Sequence, residues 1–188
     1  MDRDFCVYVR GLSSRRARSL RSCARSLDGL CGKGDAMAVA TIRAAEPADI
    51  DRIPAMYEWL FEPPSSPLPR WDPERAAAAL GRAVASDSAV VLIAVVQDQF
   101  VGLCTAYADF ESVRFGRRVV VEDLMVHPEH RSRGIGKQLL DEAKRWAQAR
   151  GASRLQLESS EVRTDAHRFY QREQPSWRSI AYGWEFQP

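Results

Sequence analysis

One stretch narrows the fold of this chain more than any other. An apolar strand, Val119 to Val126, runs through His127-Pro128-Glu129-His130 into Arg131-Ser132-Arg133-Gly134-Ile135-Gly136-Lys137, and a helix follows. That helix is predicted to reach about Arg150, because Leu139, Leu140, Ala143, Trp146 and Ala147 recur at helical spacing. The first amides of a helix have no partner within it and sit at the positive end of its dipole, so an anionic phosphate is favoured there. Glycine at 134 and 136 allows close backbone approach, and Arg131, Arg133 and Lys137 add positive charge. The expected ligand is a nucleotide-like diphosphate.

Spacing removes two familiar diphosphate loops. A P-loop needs Gly where Arg131 stands and Ser or Thr where Gln138 stands; a dinucleotide fingerprint needs Gly where Leu139 stands.

The rest of the chain supplies the context for that unit. A strand is predicted over Ala40 to Ala45, then a helical segment from about Ala48 to Phe61 whose regular part starts near Asp51, because Pro54 fits only a first turn. The run Glu62 to Arg70 is a proline-rich loop, and Asp72 with Pro73 opens a second helix to about Ala85. Three β segments, Ala89 to Val96, Phe100 to Phe110 and Val119 to Val126, read as an antiparallel meander. After the central helix, closed by Gly151, a strand Arg154 to Leu157, a helix of about Asp165 to Glu173 and an aromatic strand region Trp177 to Phe186 complete the pattern.

Of the 188 residues, the first 36 are rich in Arg, Ser and Gly and lack sustained apolar periodicity. They are expected to be a basic, disordered extension, with the domain spanning 37–188. Those 36 residues hold eight Arg or Lys against four Asp, so within a net charge of +2 the remainder is mildly acidic. Such a body lacks the basic face of a duplex binder, and its longest apolar run, Ala89 to Val96, is far too short for a membrane span. Cys6, Cys23, Cys31 and Cys104 lack zinc-site spacing, and Cys104 is expected to pack as a small hydrophobe in a reducing, cytoplasmic setting. His127, His130 and His167 are not spaced as a metal site.

The segment Glu122-Asp123-Leu124-Met125-Val126-His127-Pro128 followed by Arg131-Ser132-Arg133-Gly134-Ile135-Gly136, with Asp165-Ala166-His167-Arg168-Phe169-Tyr170 downstream, resembles the GNAT superfamily of N-acetyltransferases over about Thr41 to Phe186. The resemblance implies an α/β (α+β) fold: a mixed, mostly antiparallel sheet of six to seven strands, a parallel pair splayed at the acetyl-CoA site, and about four flanking helices. It implies acetyl-CoA as co-substrate. Its pyrophosphate would lie on Arg131, Ser132, Arg133, Gly134, Ile135, Gly136 and Lys137, and its pantetheine along the strand Leu124, Met125 and Val126. Ser160 would stand where the family often has Asn. Tyr170 would protonate the departing thiolate.

The acceptor ammonium must lose a proton before attack, so a base is required. Glu122 is assigned that role first and Asp123 second. Strand alternation sends them to opposite faces, so only one is expected to meet the cleft directly. The acceptor is expected to be a small-molecule primary amine, with no nucleic-acid or membrane partner and with a homodimer left open. A protein amino group, or a module that binds acyl-CoA without turnover, is the rival reading. The local run around Tyr170 also resembles aminoalkylphosphonate acetyltransferases. Trp59, Phe61, Trp71 and Trp177 are candidates for shaping the acceptor pocket. Where the family closes the helix after Tyr170 with glycine, this chain has Gln174-Pro175, and proline is expected to keep Gln174 out of the left-handed region.

Overall fold

The computed structural model of the chain describes residues 39–63, 71–184 and 186. The basic extension of residues 1–36 and the cysteines within it lie outside the described residues.

Strand β1 (Thr41–Ala44) leads into two 3₁₀ turns, Pro47–Arg52 and Pro54–Tyr57, and a single helical turn, α1 (Glu58–Phe61). The helix expected from Ala48 therefore does not form as one piece. Pro54 divides it, since it lacks the N–H that an α-helical ladder needs, and Pro47 opens the first turn. Asp49 stabilises the first turn instead: its carboxylate accepts the Glu46 amide at 2.8 Å and pairs with Arg43 of β1 at 2.6 and 2.9 Å. That guanidinium holds the Asp49 carboxyl below the usual range and offsets its burial.

Helix α2 (Pro73–Val84) starts as expected, with Asp72 Oδ1 accepting the amides of Glu74 and Arg75 at 2.9 and 3.3 Å. Strands β2 (Ala89–Val96) and β3 (Gln99–Ala108) form a hairpin around Gln97-Asp98, both at positive φ as a two-residue hairpin turn demands. Then come β4 (Arg118–Val126), α3 (Ile135–Ala149), β5 (Arg154–Leu157) and α4 (Thr164–Arg172).

Among the described residues the sheet has five strands, in the order β1-β2-β3-β4-β5, not six or seven. All neighbours are antiparallel except β4 and β5. The expected C-terminal strand is absent from the described part of the tail. Pro175 offers no ladder donor, and Trp177 meets β5 through its ring, with the Arg154 guanidinium 4.7 Å from its ring centre and 3.8 Å from that of Phe115. Ile180, Tyr182 and Trp184 stay exposed.

Each face of the sheet buries its own cluster. Val90, Leu92, Val101, Cys104, Val119 and Val121 pack under α3, through Ile135, Leu139 and Ala143. On the other face Val91, Ile93, Leu103 and Met125 meet Ile53, Met56 and Leu80. Gly102 lets α3 lie flat: a Cβ there would come within 2.9 Å of Leu139 Cδ1 and 3.2 Å of Ile135 Cγ2. The start of α3 is thereby held close to the sheet.

Candidate active site

Two irregularities in β4 create the site. The first is a bulge: Thr105 pairs with Asp123 but Ala106 with Val121, so Glu122 is an extra residue. The second is a splay. β5 pairs with Arg118 to Val121 only, which leaves the β5-facing edge of Glu122 to Val126 without a strand partner among the described strands.

The bulge changes which faces the two acids reach. Val119 and Val121 point toward α3, whereas beyond Glu122 it is Met125 that joins the cluster on the α2 face. Glu122 and Asp123 consequently border one cavity of about 300 Å³, together with Tyr57, Trp71, Thr105 and Tyr107. The expectation that only one acid meets the cleft is corrected, because alternation holds only in a strand without an inserted residue.

Asp123 is tightly held. Its Oδ2 accepts the Tyr57 hydroxyl at 2.7 Å and the Thr105 hydroxyl at 2.8 Å, and the Thr105 hydroxyl in turn accepts the Asp123 amide at 3.1 Å. Burial first, then the charge of Asp123, pushes the Tyr57 phenol well above its ordinary range, so it remains a donor. Glu122 makes no such bonds among the described residues. Partial burial, then the charges of Asp123 and Glu158, raise its carboxyl above the usual range, the direction that suits a base working near neutrality. Thr105 could have been noticed as a polar residue in an apolar strand opposite an acid; Tyr57 carried no comparable signal.

At the other end of β4, Ser132 and Gly134 both adopt left-handed φ, 61° and 81°, curling the loop into the start of α3. Gly134 is the residue capping that helix, without any side-chain hydrogen bond, so the leading amides of α3 remain free for a ligand. Of the three cations expected around it, Lys137 is engaged elsewhere, with Asp141 at 2.6 Å and Glu173 at 3.3 Å. Arg131 donates to the Val126 carbonyl at 3.1 Å and pairs with Glu62 at 3.3 Å, and Arg133 is exposed.

The open edge belongs to alternate residues of β4. The His127 amide bonds to Val101 and Met125 pairs with Leu103, so the main-chain groups of Leu124 and Val126 turn away from β3. Met125, expected beside them, instead buries its side chain in the α2-face core.

Helix α4 closes the site from the far side. Phe169 Cζ would lie 3.7 Å from a Cβ at Gly136, which sets α4 against the first turn of α3. Tyr170 follows it in the chain. Burial, with a smaller push from the neighbouring Cys104 and an opposing pull from Arg163, takes its phenol up to about 12, so the proton is retained through the neutral range. Cys104 lies across from Leu124 in the ladder, which places Tyr170 beside the open part of β4. Cys104 itself is fully buried, as expected of a small hydrophobe, and its thiol is pushed up to about 12, chiefly by burial.

At the end of β5, the Ser160 side chain is exposed, while the Ser159 hydroxyl is buried without a hydrogen-bond partner. Ser159 and Tyr170 border a second cavity, of about 370 Å³, walled by the tail at Trp177. Of the aromatics expected to shape an acceptor pocket, Trp71 lines the first cavity, Phe61 packs on it at 4.9 Å, Trp59 packs on His127, and Trp177 stands at the second cavity.

The Acetyltransferase (GNAT) family profile matches residues 53–174, a span holding both irregularities of β4, the loop and α4. The chain belongs to this family. As a GNAT acetyltransferase it is an acyltransferase that uses acetyl-CoA. The open strand edge, free helix-start amides and the unpartnered Ser159 hydroxyl are groups that such a thioester's amide-rich arm and diphosphate would satisfy. The chain is 33% identical over 100 residues to the uncharacterized N-acetyltransferase YhfO of Bacillus subtilis (strain 168), covering 53% of this chain and 67% of that protein. It is 38% identical over 68 residues to streptothricin acetyltransferase of Streptomyces lavendulae, covering 35% of this chain but only 36% of that one. Among solved structures, the CoA complex of aminoglycoside N-acetyltransferase AAC(6')-Iy superposes with a TM-score of 0.70 at 17% identity, over 82% of this chain and 99% of that one. Ribosomal-protein-alanine N-acetyltransferase of Brucella melitensis biovar Abortus 2308 gives 0.61 at 22%, over 79% and 100%. At these identities the likeness concerns the fold.

Proposed function

We propose that this acetyltransferase acetylates the primary amine of a small molecule held in the cavity beneath α2, and that residues 37–188 act as one catalytic domain. The observation that carries this reading is the bulge at Glu122, which brings two carboxylates to a cavity adjoining the open edge of β4. A cavity of about 300 Å³ lies at the small end of the usual range for ligand pockets, about 300–1,000 Å³, and suits a small amine. Aminoglycoside and streptothricin acetyltransferases among the similar proteins support a small-molecule acceptor.

Acetyl-CoA supplies the acetyl group as a thioester. Leu124 and Val126 hold its arm by main-chain bonds, and the amides of Ser132, Arg133, Gly134, Ile135 and Gly136 hold its diphosphate, with Arg131 and Lys137 at the rim. Ser159, with its buried free hydroxyl, takes over the contact first assigned to Ser160. Glu122 removes one proton from the acceptor ammonium, the freed nitrogen bonds to the acetyl carbon, and the carbon–sulfur bond breaks. Tyr170 gives its proton to the departing sulfur, and the second proton lost by the new amide nitrogen restores the phenol.

The test is thiol release from acetyl-CoA across aminoglycosides, polyamines, aminophosphonates, amino acids and peptides, repeated with Tyr170→Phe. The variant is expected to lose about 100-fold in kcat with CoA affinity nearly unchanged. Full activity in the variant removes Tyr170 from the mechanism; turnover of peptides alone removes the small-molecule acceptor.

A further inference from the structure

We infer that Asp123 sets acceptor specificity: the preferred substrate is a diamine or polyamine, whose second ammonium is held by Asp123 while the first is deprotonated at Glu122. The inference rests on the cavity beneath α2 being the acceptor site.

Three observations converge on it. The bulge puts two carboxylates side by side on one wall, and the residues described around the cavity include no Lys, Arg or His to balance them. Adjacent like charges in a half-buried cavity are unfavourable, and an entering dication relieves both at once. Next, the two acids are held differently. Asp123 Oδ2 is fastened by Tyr57 and Thr105, while its Oδ1 accepts no bond among the described residues and is left for an incoming donor. Glu122 has neither tether and is free to receive and release a proton. Finally, Tyr57, Trp71 and Tyr107 present aromatic rings around the same space, and such faces attract ammonium groups.

The same features disfavour amines with an acidic tail. A phosphonate or carboxylate would face two anions with no described cation beside it, so aminophosphonates and amino acids are poor acceptors despite the local resemblance around Tyr170. The chemistry balances with a diamine as with any amine. One nitrogen gives a first proton to Glu122 and bonds to the acetyl carbon; as the carbon–sulfur bond breaks, sulfur takes the Tyr170 proton and the new amide nitrogen gives up its second proton, which restores the phenol. The other nitrogen stays charged against Asp123.

The experiment is calorimetry of amines added to the full chain saturated with CoA, beside thiol-release kinetics with the same amines. Putrescine and spermidine are compared with butylamine, and 4-aminobutyrate and 3-aminopropylphosphonate supply acidic tails. Expected is about 10- to 100-fold tighter binding and lower KM for the diamines than for butylamine, the size of a hydrogen bond to a charged group, with the acidic amines weakest. Asp123→Asn should collapse the diamine-to-monoamine ratio toward one. Equal binding of putrescine and butylamine, no binding of either, or an acidic amine matching putrescine overturns the inference. Thiol release without a diamine preference overturns it while leaving the acetyltransferase reading intact. Diamine preference in binding without thiol release leaves Asp123 as an ammonium anchor but overturns the inference as stated, because no amine is then deprotonated at Glu122.

Discussion

The two ends of β4 are built from different materials. At its C-terminal end the corner proposed to hold the cofactor is made of main chain: free amides at the start of α3, a left-handed Gly134 and an open strand edge. Toward its middle the proposed acceptor wall is made of side chains gathered from distant positions, with Tyr57 reaching Asp123 across 66 residues and Thr105 across 18. A main-chain site tolerates many side chains around it and depends on backbone shape. A side-chain site tolerates little, which is where specificity can diverge between relatives that share a fold.

That contrast can be broken in stated ways. The largest effect is expected from Gly134→Asp, which puts a Cβ at φ 81° and a negative charge against the diphosphate; calorimetry should show CoA affinity down by about 100-fold or more. Retained affinity means that the corner does not bind through these amides. Next is Glu122→Gln, expected to lower kcat by about 100-fold. In the native enzyme the kcat/KM profile should rise with pH through a value above the ordinary carboxylate range, because Glu122 acts deprotonated and its carboxyl is raised. An inflection at or below that range sinks the assignment. In the interval between ordinary and raised values the folded chain binds more protons than the unfolded one, so its stability falls as pH rises there, and the Gln variant should lack that dependence.

Smaller effects test the scaffold. Gly102→Ala should cost about 1–3 kcal/mol in denaturant unfolding, since the new methyl meets Leu139 and Ile135, and weakened CoA binding should accompany it as the start of α3 shifts. Unchanged stability means α3 is not held by that contact. The smallest change is Gln174→Gly. Gln174 takes φ 52° although proline follows, contrary to the sequence expectation, because the α4 end is closed by amide bonds from Glu173 and Gln174 to the last turn. Relieving that conformation should stabilise the chain by up to about 1 kcal/mol, and a lower melting temperature contradicts it.

Much of the main-chain architecture was legible in the sequence. β2 and β5 fall where expected because apolar, β-branched runs bounded by turns leave little choice, and α3 follows from its period. The left-handed turn into α3 was legible because glycine spacing reports backbone shape directly. The bulge was not: one extra residue in a strand leaves composition untouched yet turns Asp123 to the opposite face. Lys137 was read as a phosphate cation, but its nearest neighbours are Asp141 one turn along and Glu173 from α4, and only the first is visible locally. The aromatic tail read as a strand because alternation alone cannot tell a paired segment from one that crosses an edge by ring contacts.

A sheet in which one edge of the lower half of an inner strand has no strand partner among the described strands is an unfinished piece of folding. With the co-substrate lying along Leu124 and Val126 as proposed, it would complete that edge, act as a structural component and contribute to the melting curve. Ligand at one hundred times its dissociation constant adds about 2.7 kcal/mol to a folded state that alone binds it. The lifetime of this enzyme would then follow the supply of acetyl-CoA, and a chain starved of its donor would be the first to be lost.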